Sequence, residues 1–171
     1  MFRIFYPHTY MENAYDIDYE DYYASGYRGI IYDIDNTLVE HDAPATKQAV
    51  ELFQRLRSIG FQVLTLSNNT EARVKMFCDE VGCAYLYKAG KPKKSGYLRA
   101  MQIMGTDTGN TLFIGDQIFT DVWGANRCGI RTILVKPISK KERFRIVLKR
   151  IPERLILFFY RRRIRKQAKK C

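Results

Sequence analysis

The sequence predicts an α/β protein in which a parallel β-sheet is covered by helices on both faces. Three observations carry the prediction. Short apolar runs of β-prone residues alternate with segments of helical period along most of the chain. Polar residues follow these runs, as they do where a parallel sheet presents the carboxyl ends of its strands to a ligand. Finally, 171 residues, 46% of them hydrophobic, suit one globular core.

The opening is acidic and tyrosine-rich and ends in DIDYEDYYASGYRG, where Asp18 is placed to cap a short helix and Gly26 to stop it. Phe2, Phe5 and Tyr6 ahead of it are expected to close the core. Residues 28–33, RGIIYD, form a β-prone run that enters DIDNTLVEHDAP, with Asn36 and Thr37 marking a turn and Pro44 closing the loop. From Thr46 to Ser58, Ala49, Leu52, Phe53 and Leu56 recur at helical spacing, and Gly60 ends the segment. FQVLTLSNN then reads as a buried strand running into a polar turn. The alternation continues with a helix over Glu71–Val81 stopped by Gly82, a strand in AYLYKA and a helix over Lys94–Met104. The strand TLFIG leads into DQIFTD, a helix spans Thr120–Arg127 before Gly129, and RTILVKP supplies the last strand. Residues 1–137 thus form the domain, and residues 138–171 a basic amphipathic helical tail.

The formal net charge of +11 is concentrated in that tail, where fifteen Lys and Arg stand against Glu142 and Glu153 from Lys136 onward. The remainder is slightly acidic. A block of this kind commonly contacts an anionic surface, although a solvated helix face produces the same composition. No run is long and apolar enough for a membrane span, and the start lacks a secretory pattern, so a cytoplasmic location is expected. Cys78, Cys83, Cys128 and Cys171 have no paired spacing and no histidine cluster, which argues for free thiols rather than a disulfide framework or a zinc site. His8 and His41 read as isolated surface or turn residues.

Four predicted strand ends carry polar groups: Asp33 and Asp35, then Ser67 with Asn68, then Lys91, then Asp116 with Asp121. Taken singly, each has a plain structural reading, as a turn-forming cluster, a capping serine or a solvated lysine. Taken together they make a phosphate-handling set, because phosphoryl transfer needs an in-line nucleophile and cationic charge on the equatorial oxygens. DIDNTLV, LTLSN, KAGKP and GDQIFTD, in this order, resemble the four motifs of haloacid dehalogenase-type phosphatases. From YPHTY to about Pro137 the chain resembles in particular the YqeG-like subgroup, related to mitochondrial phosphatidylglycerophosphate phosphatases.

The resemblance implies a three-layer Rossmann-like fold and a Mg²⁺-dependent phosphomonoester hydrolase. It implies that Asp33 attacks phosphorus and that Asp35 acts as acid and then base. Asp33, Asp35 through its carbonyl, and Asp116 would hold the metal, with Asp121 as an outer helper. Thr37, Ser67, Asn68 and Lys91 would line the phosphate. To serve first as an acid Asp35 must begin protonated, and the like charge of Asp33 is the expected cause. The intervals from Asp33 to Ser67 and from Ser67 to Lys91 each hold one helix and one strand, which leaves no room for an inserted cap. An open site favours a bulky substrate, such as a lipid headgroup.

In the tail, Pro152 should break or restart a helix, and LILFFY is followed by RRRIRKQAKK. Six apolar residues beside a basic block resemble an interfacial anchor for an anionic membrane. The alternatives are a final helix packed on the sheet and, third, an RNA-binding segment. The expectation is a peripheral membrane phosphatase of phospholipid biosynthesis, acting on phosphatidylglycerophosphate or a similar lipid. The alternatives are a phosphatase of a soluble metabolite, and a weakly active module docking RNA or a ribosomal particle.

Overall fold

The structure, a computed structural model, describes residues 3–139 and 144–168, and within the second segment the side chains of 152–164. Six parallel strands form one sheet: β1 (Thr9–Met11), β2 (Gly29–Tyr32), β3 (Gln62–Leu66), β4 (Ala84–Leu86), β5 (Thr111–Gly115) and β6 (Arg131–Val135), in the order β1-β6-β5-β2-β3-β4. β2 is internal, between β3 and β5, and all four of its residues are buried. Such a strand must be apolar on both faces, and GIIY is.

Alternate residues feed the two helical layers. Ile30 and Tyr32 of β2, with Leu112 and Ile114 of β5, face α2 (Lys47–Ile59) and α3 (Glu71–Val81) through Leu52, Phe53, Val74 and Phe77. Ile31 and Phe113 face α4 (Lys94–Met104) and α5 (Trp123–Arg127) through Tyr97, Met101 and Ala125. The sandwich is the expected three-layer α/β fold. Its helix boundaries follow local chemistry: Asp18 caps α1 (Tyr19–Ala24) at the Asp21 amide, and Thr46 caps α2 at the Ala49 amide. Gly60, with φ of 112°, closes α2 in a left-handed conformation.

Three elements differ from the sequence reading. β1 was not anticipated; it adds to β6 at one edge, with His8 Nδ1 accepting the Thr132 amide at 3.1 Å. Burial first, then the nearby Arg131, lowers the His8 pKa, so the neutral ring suits that acceptor role; His8 lies at the surface, as expected, and there pins β1 to β6. The segment after β5 is not one α-helix from Thr120. It begins as a π turn, Ile118–Val122, and continues as α5. Finally, α6 (Phe144–Ala168) runs through Pro152 instead of breaking there. An interior proline costs about 3 kcal/mol, and the burial of Ile156 and Tyr160 beyond it opposes that cost.

The LILFFY run divides between two environments. Ile156 packs with Ile118, Val122 and Leu134, and Tyr160 stacks near Tyr6, whereas Leu155, Phe158 and Phe159 face outward. Phe5 meets Phe119 and Trp123, so the N-terminal aromatics do close this corner; Phe2 lies outside the described residues. No described helix is long and apolar enough to cross a membrane. Cys78, Cys83 and Cys128 are free thiols, and Cys171 lies outside the described residues.

Candidate active site

Asp33 follows β2 directly, Ser67 follows β3, Asp116 follows β5, and Lys91 lies in the loop between β4 and α4, so the chain delivers all four to the carboxyl edge of the sheet. The Asp33 amide donates to the Ile114 carbonyl at 2.9 Å, which ties the residue to the neighbouring strand. Just beyond, Asn36 turns with φ of 65°, a left-handed conformation that asparagine tolerates better than most residues. This turn brings Asp35 into a bridge with Val39.

Lys91 is the centre of charge. Its Nζ donates to Asp33 Oδ1 at 2.6 Å and to Asp121 Oδ1 at 2.7 Å, with all three side chains buried. Burial opposes the ammonium, but Asp121 and Asp33 outweigh it, so the Lys91 pKa is raised and the group stays charged. Burial is also the largest influence on Asp33; with Asp121 and Asp35 adding to it against Lys91, the Asp33 pKa is pushed up to about 7.

The crowding expected to keep Asp35 protonated therefore acts on Asp33. The Asp35 carboxylate is directed to Arg73 of α3, accepting from its Nη2 at 2.9 Å and Nε at 3.2 Å, and it also accepts from Asn69 Nδ2 at 3.1 Å and from the Asp42 amide at 3.0 Å in the adjoining loops. Burial raises its pKa, but the Asn69 bond, the Arg73 charge and the Asp42 amide prevail, and the net shift is downward. Asp35 thus rests as a carboxylate. His41, expected to be isolated, lies at this rim with Nδ1 3.9 Å from Asp35 Oδ1.

Two other residues at the site brace its charged groups. Asn68 bonds the Lys91 main chain through both ends of its amide, donating to the carbonyl at 3.0 Å and accepting from the amide at 2.7 Å. It sets the lysine backbone. Thr37 Oγ1 donates to Asp116 Oδ1 at 3.5 Å and so braces a carboxylate. Ser67 Oγ accepts the Asn69 amide at 3.1 Å, which leaves its O–H to donate to a phosphoryl oxygen.

Asp33, Asp116 and Asp121, all buried, each offer a carboxylate oxygen within 4.8 Å of the others. Asp121, expected as an outer helper, belongs to the cluster itself. Three carboxylates against one ammonium leave an excess of two negative charges, and the donors are all hard oxygens, so the set fits a divalent cation of the magnesium kind. Asp121 is further fixed by accepting the Gln117 amide at Oδ2, 3.0 Å away. A Cβ at Gly115 would meet that carboxylate at 2.5 Å. Gly115→Ala is accordingly expected to displace Asp121, cost about 1–3 kcal/mol of stability and lower turnover. Urea unfolding and a phosphate-release assay check this, and an unchanged variant would show that the carboxylate has room to move.

Residues 42–129 match the haloacid dehalogenase-like hydrolase family. The chain belongs to that family and is a phosphatase, a phosphoric monoester hydrolase. It is 39% identical over 162 residues, 94% of either chain, to "Probable phosphatase YqeG" of Bacillus subtilis (strain 168). It is 27% identical over 176 residues to the Arabidopsis thaliana "Phosphatidylglycerophosphate phosphatase 1, chloroplastic/mitochondrial", covering 95% of this chain but only 49% of that one. Among solved structures, an uncharacterized protein from Listeria monocytogenes serotype 4b superposes with a TM-score of 0.56 at 19% identity, over 68% of this chain and 84% of the other. That similarity is one of fold.

Proposed function

We propose that the protein is a Mg²⁺-dependent phosphatase that hydrolyses a lipid phosphomonoester, such as phosphatidylglycerophosphate, through an aspartyl-phosphate on Asp33. The observation that carries the reading is the buried Asp33–Lys91–Asp121 network beside Asp116, at strand ends over which the described residues place no inserted domain. An Asp33 carboxylate oxygen attacks phosphorus, the bond from phosphorus to the leaving oxygen breaks, and Asp35 supplies the proton that oxygen needs. Asp35 must leave Arg73 and Asn69 and take up a proton to do so. Returned to its carboxylate form, it accepts a proton from the water that attacks phosphorus, and the Asp33–phosphorus bond breaks to release phosphate. Lys91 and the Ser67 hydroxyl offset charge on the equatorial oxygens. Mg²⁺, held by Asp33, Asp116 and Asp121 with the Asp35 carbonyl, would supply further positive charge there.

The lipid assignment is supported by the name of the plant relative and by α6, where Leu155, Phe158 and Phe159 are exposed beside Arg154, Arg161 and Arg162. Phe158 is 57% exposed. Aromatic side chains next to arginines suit the interface of an anionic membrane, which would make this a peripheral protein of the inner, cytoplasmic face.

The test is phosphate release from phosphatidylglycerophosphate in mixed micelles and from a panel of soluble phosphate esters, with Mg²⁺ and after chelation. Lipid turnover that requires Mg²⁺ and falls at least about tenfold in Phe158→Asp/Phe159→Asp, with aryl phosphate turnover unchanged, is expected. Soluble esters turned over while the lipid is not would discard the lipid. Mg²⁺ should also raise the melting temperature, since a ligand at ten times its Kd adds about 1.4 kcal/mol.

A further inference from the structure

We infer that Glu153 is a positioning residue through which the tail helix holds the acidic loop after β5 in its working shape. Glu153 is only 3% exposed, although it lies in a helix segment whose neighbouring charges, Arg154, Arg161 and Arg162, face outward. A carboxylate loses stability on burial unless polar partners replace its water. Here Oε1 accepts the Ile118 amide at 2.8 Å.

That amide opens the π turn Ile118–Val122, and first-turn amides have no acceptor within their own helix. The two amides at its start are each taken by a carboxylate: Gln117 N by Asp121 from inside the site, and Ile118 N by Glu153 from the tail. The turn is gripped elsewhere by the Tyr97 hydroxyl, which donates to the Thr120 carbonyl, and by Ile156 of α6 packed on Ile118 and Val122. Asp116 stands immediately before these grips and Asp121 among them. Glu153 touches neither substrate nor cation; it fixes the backbone that aims both carboxylates. The tail is then part of the site's frame, and whatever displaces α6 reaches the acidic cluster through Ile118.

The inference rests on the assignment of Asp116 and Asp121 to the cation, so its test separates the two. Full-length wild type, Glu153→Ala and Glu153→Gln are compared by calorimetric Mg²⁺ titration and by hydrolysis of a soluble aryl phosphate. Removing a group that orients a metal ligand costs about 10–100-fold in metal affinity or activity. Glu153→Ala should weaken Mg²⁺ binding and lower kcat by that factor with KM for the aryl phosphate little changed. Glu153→Gln keeps an acceptor for the amide and should recover most of both. If Glu153→Ala does not fold, Glu153→Asp, one methylene too short to reach Ile118, replaces it with the same expectation. Wild-type values in a folded Ala or Asp variant would overturn the inference alone, as would a Gln variant as impaired as Ala. A wild type that neither binds Mg²⁺ nor turns over any phosphate would overturn the proposed function with it.

Discussion

Replacing Asp33 with asparagine is expected to lower phosphate release roughly 10⁶-fold, the scale on which the loss of a covalent nucleophile is felt, while leaving the fold intact. The amide is nearly isosteric with the carboxyl group, and Lys91 keeps Asp121 as a partner at 2.7 Å. The residue's backbone anchor to Ile114 is also untouched by the change. An amide cannot form the acyl phosphate that an aspartate forms, so no quantity of substrate should restore the rate. The checks are single-turnover kinetics and thermal melting of both proteins. Turnover within tenfold of wild type, in a preparation free of wild-type enzyme, would remove Asp33 from the nucleophilic role.

Lys91→Met is expected to produce the largest loss of stability of any single change at the site. The lysine is 7% exposed and lies between two buried carboxylates. Methionine fills a similar volume without the charge, and removing one partner of a buried ion pair commonly costs about 3–5 kcal/mol because the other charge is left uncompensated. Here two such charges remain. The same reasoning gives the variant a stronger response to Mg²⁺, since a divalent ion replaces the missing positive charge between Asp33 and Asp121. Urea unfolding with and without saturating Mg²⁺ should show the gap between variant and wild type narrowing when the ion is present. Turnover should fall by about 10²–10³ even then, the scale for removing a fixed electrostatic donor. A stability gap that Mg²⁺ does not change would place the cation elsewhere.

Much of this site was legible because its residues stand directly after strands whose apolar character is plain. GIIY before Asp33, QVLTL before Ser67 and TLFIG before Asp116 each announce a buried parallel strand, and residues after such strands converge at one edge. Lys91 could be placed by its motif. What escaped the reading was direction. Asp35 stands two residues from Asp33, where strand alternation would put both on one face, yet beside the Asn36 turn its carboxylate reaches Arg73, and nothing in the local sequence around Arg73 marks it as that partner. Asn69 carried a faint signal beside Asn68, and Glu153 carried only its oddity as an acid in a basic helix. β1 was hidden for another reason: TYM is partly exposed and has no apolar run, and its pairing is determined by a partner far along the chain.

That pairing bears on how the molecule is made. β1 meets β6 in the register Thr9↔Ile133, a connection between residues 124 apart, matching the separation of His8 and Thr132. A growing chain therefore exposes its first strand long before the partner exists, and loop closure of this length is among the slower steps of folding. The strand made first is expected to be the last to join the sheet. Until then the tyrosine-rich opening waits unpaired, and β6 presents an open edge to any neighbouring chain.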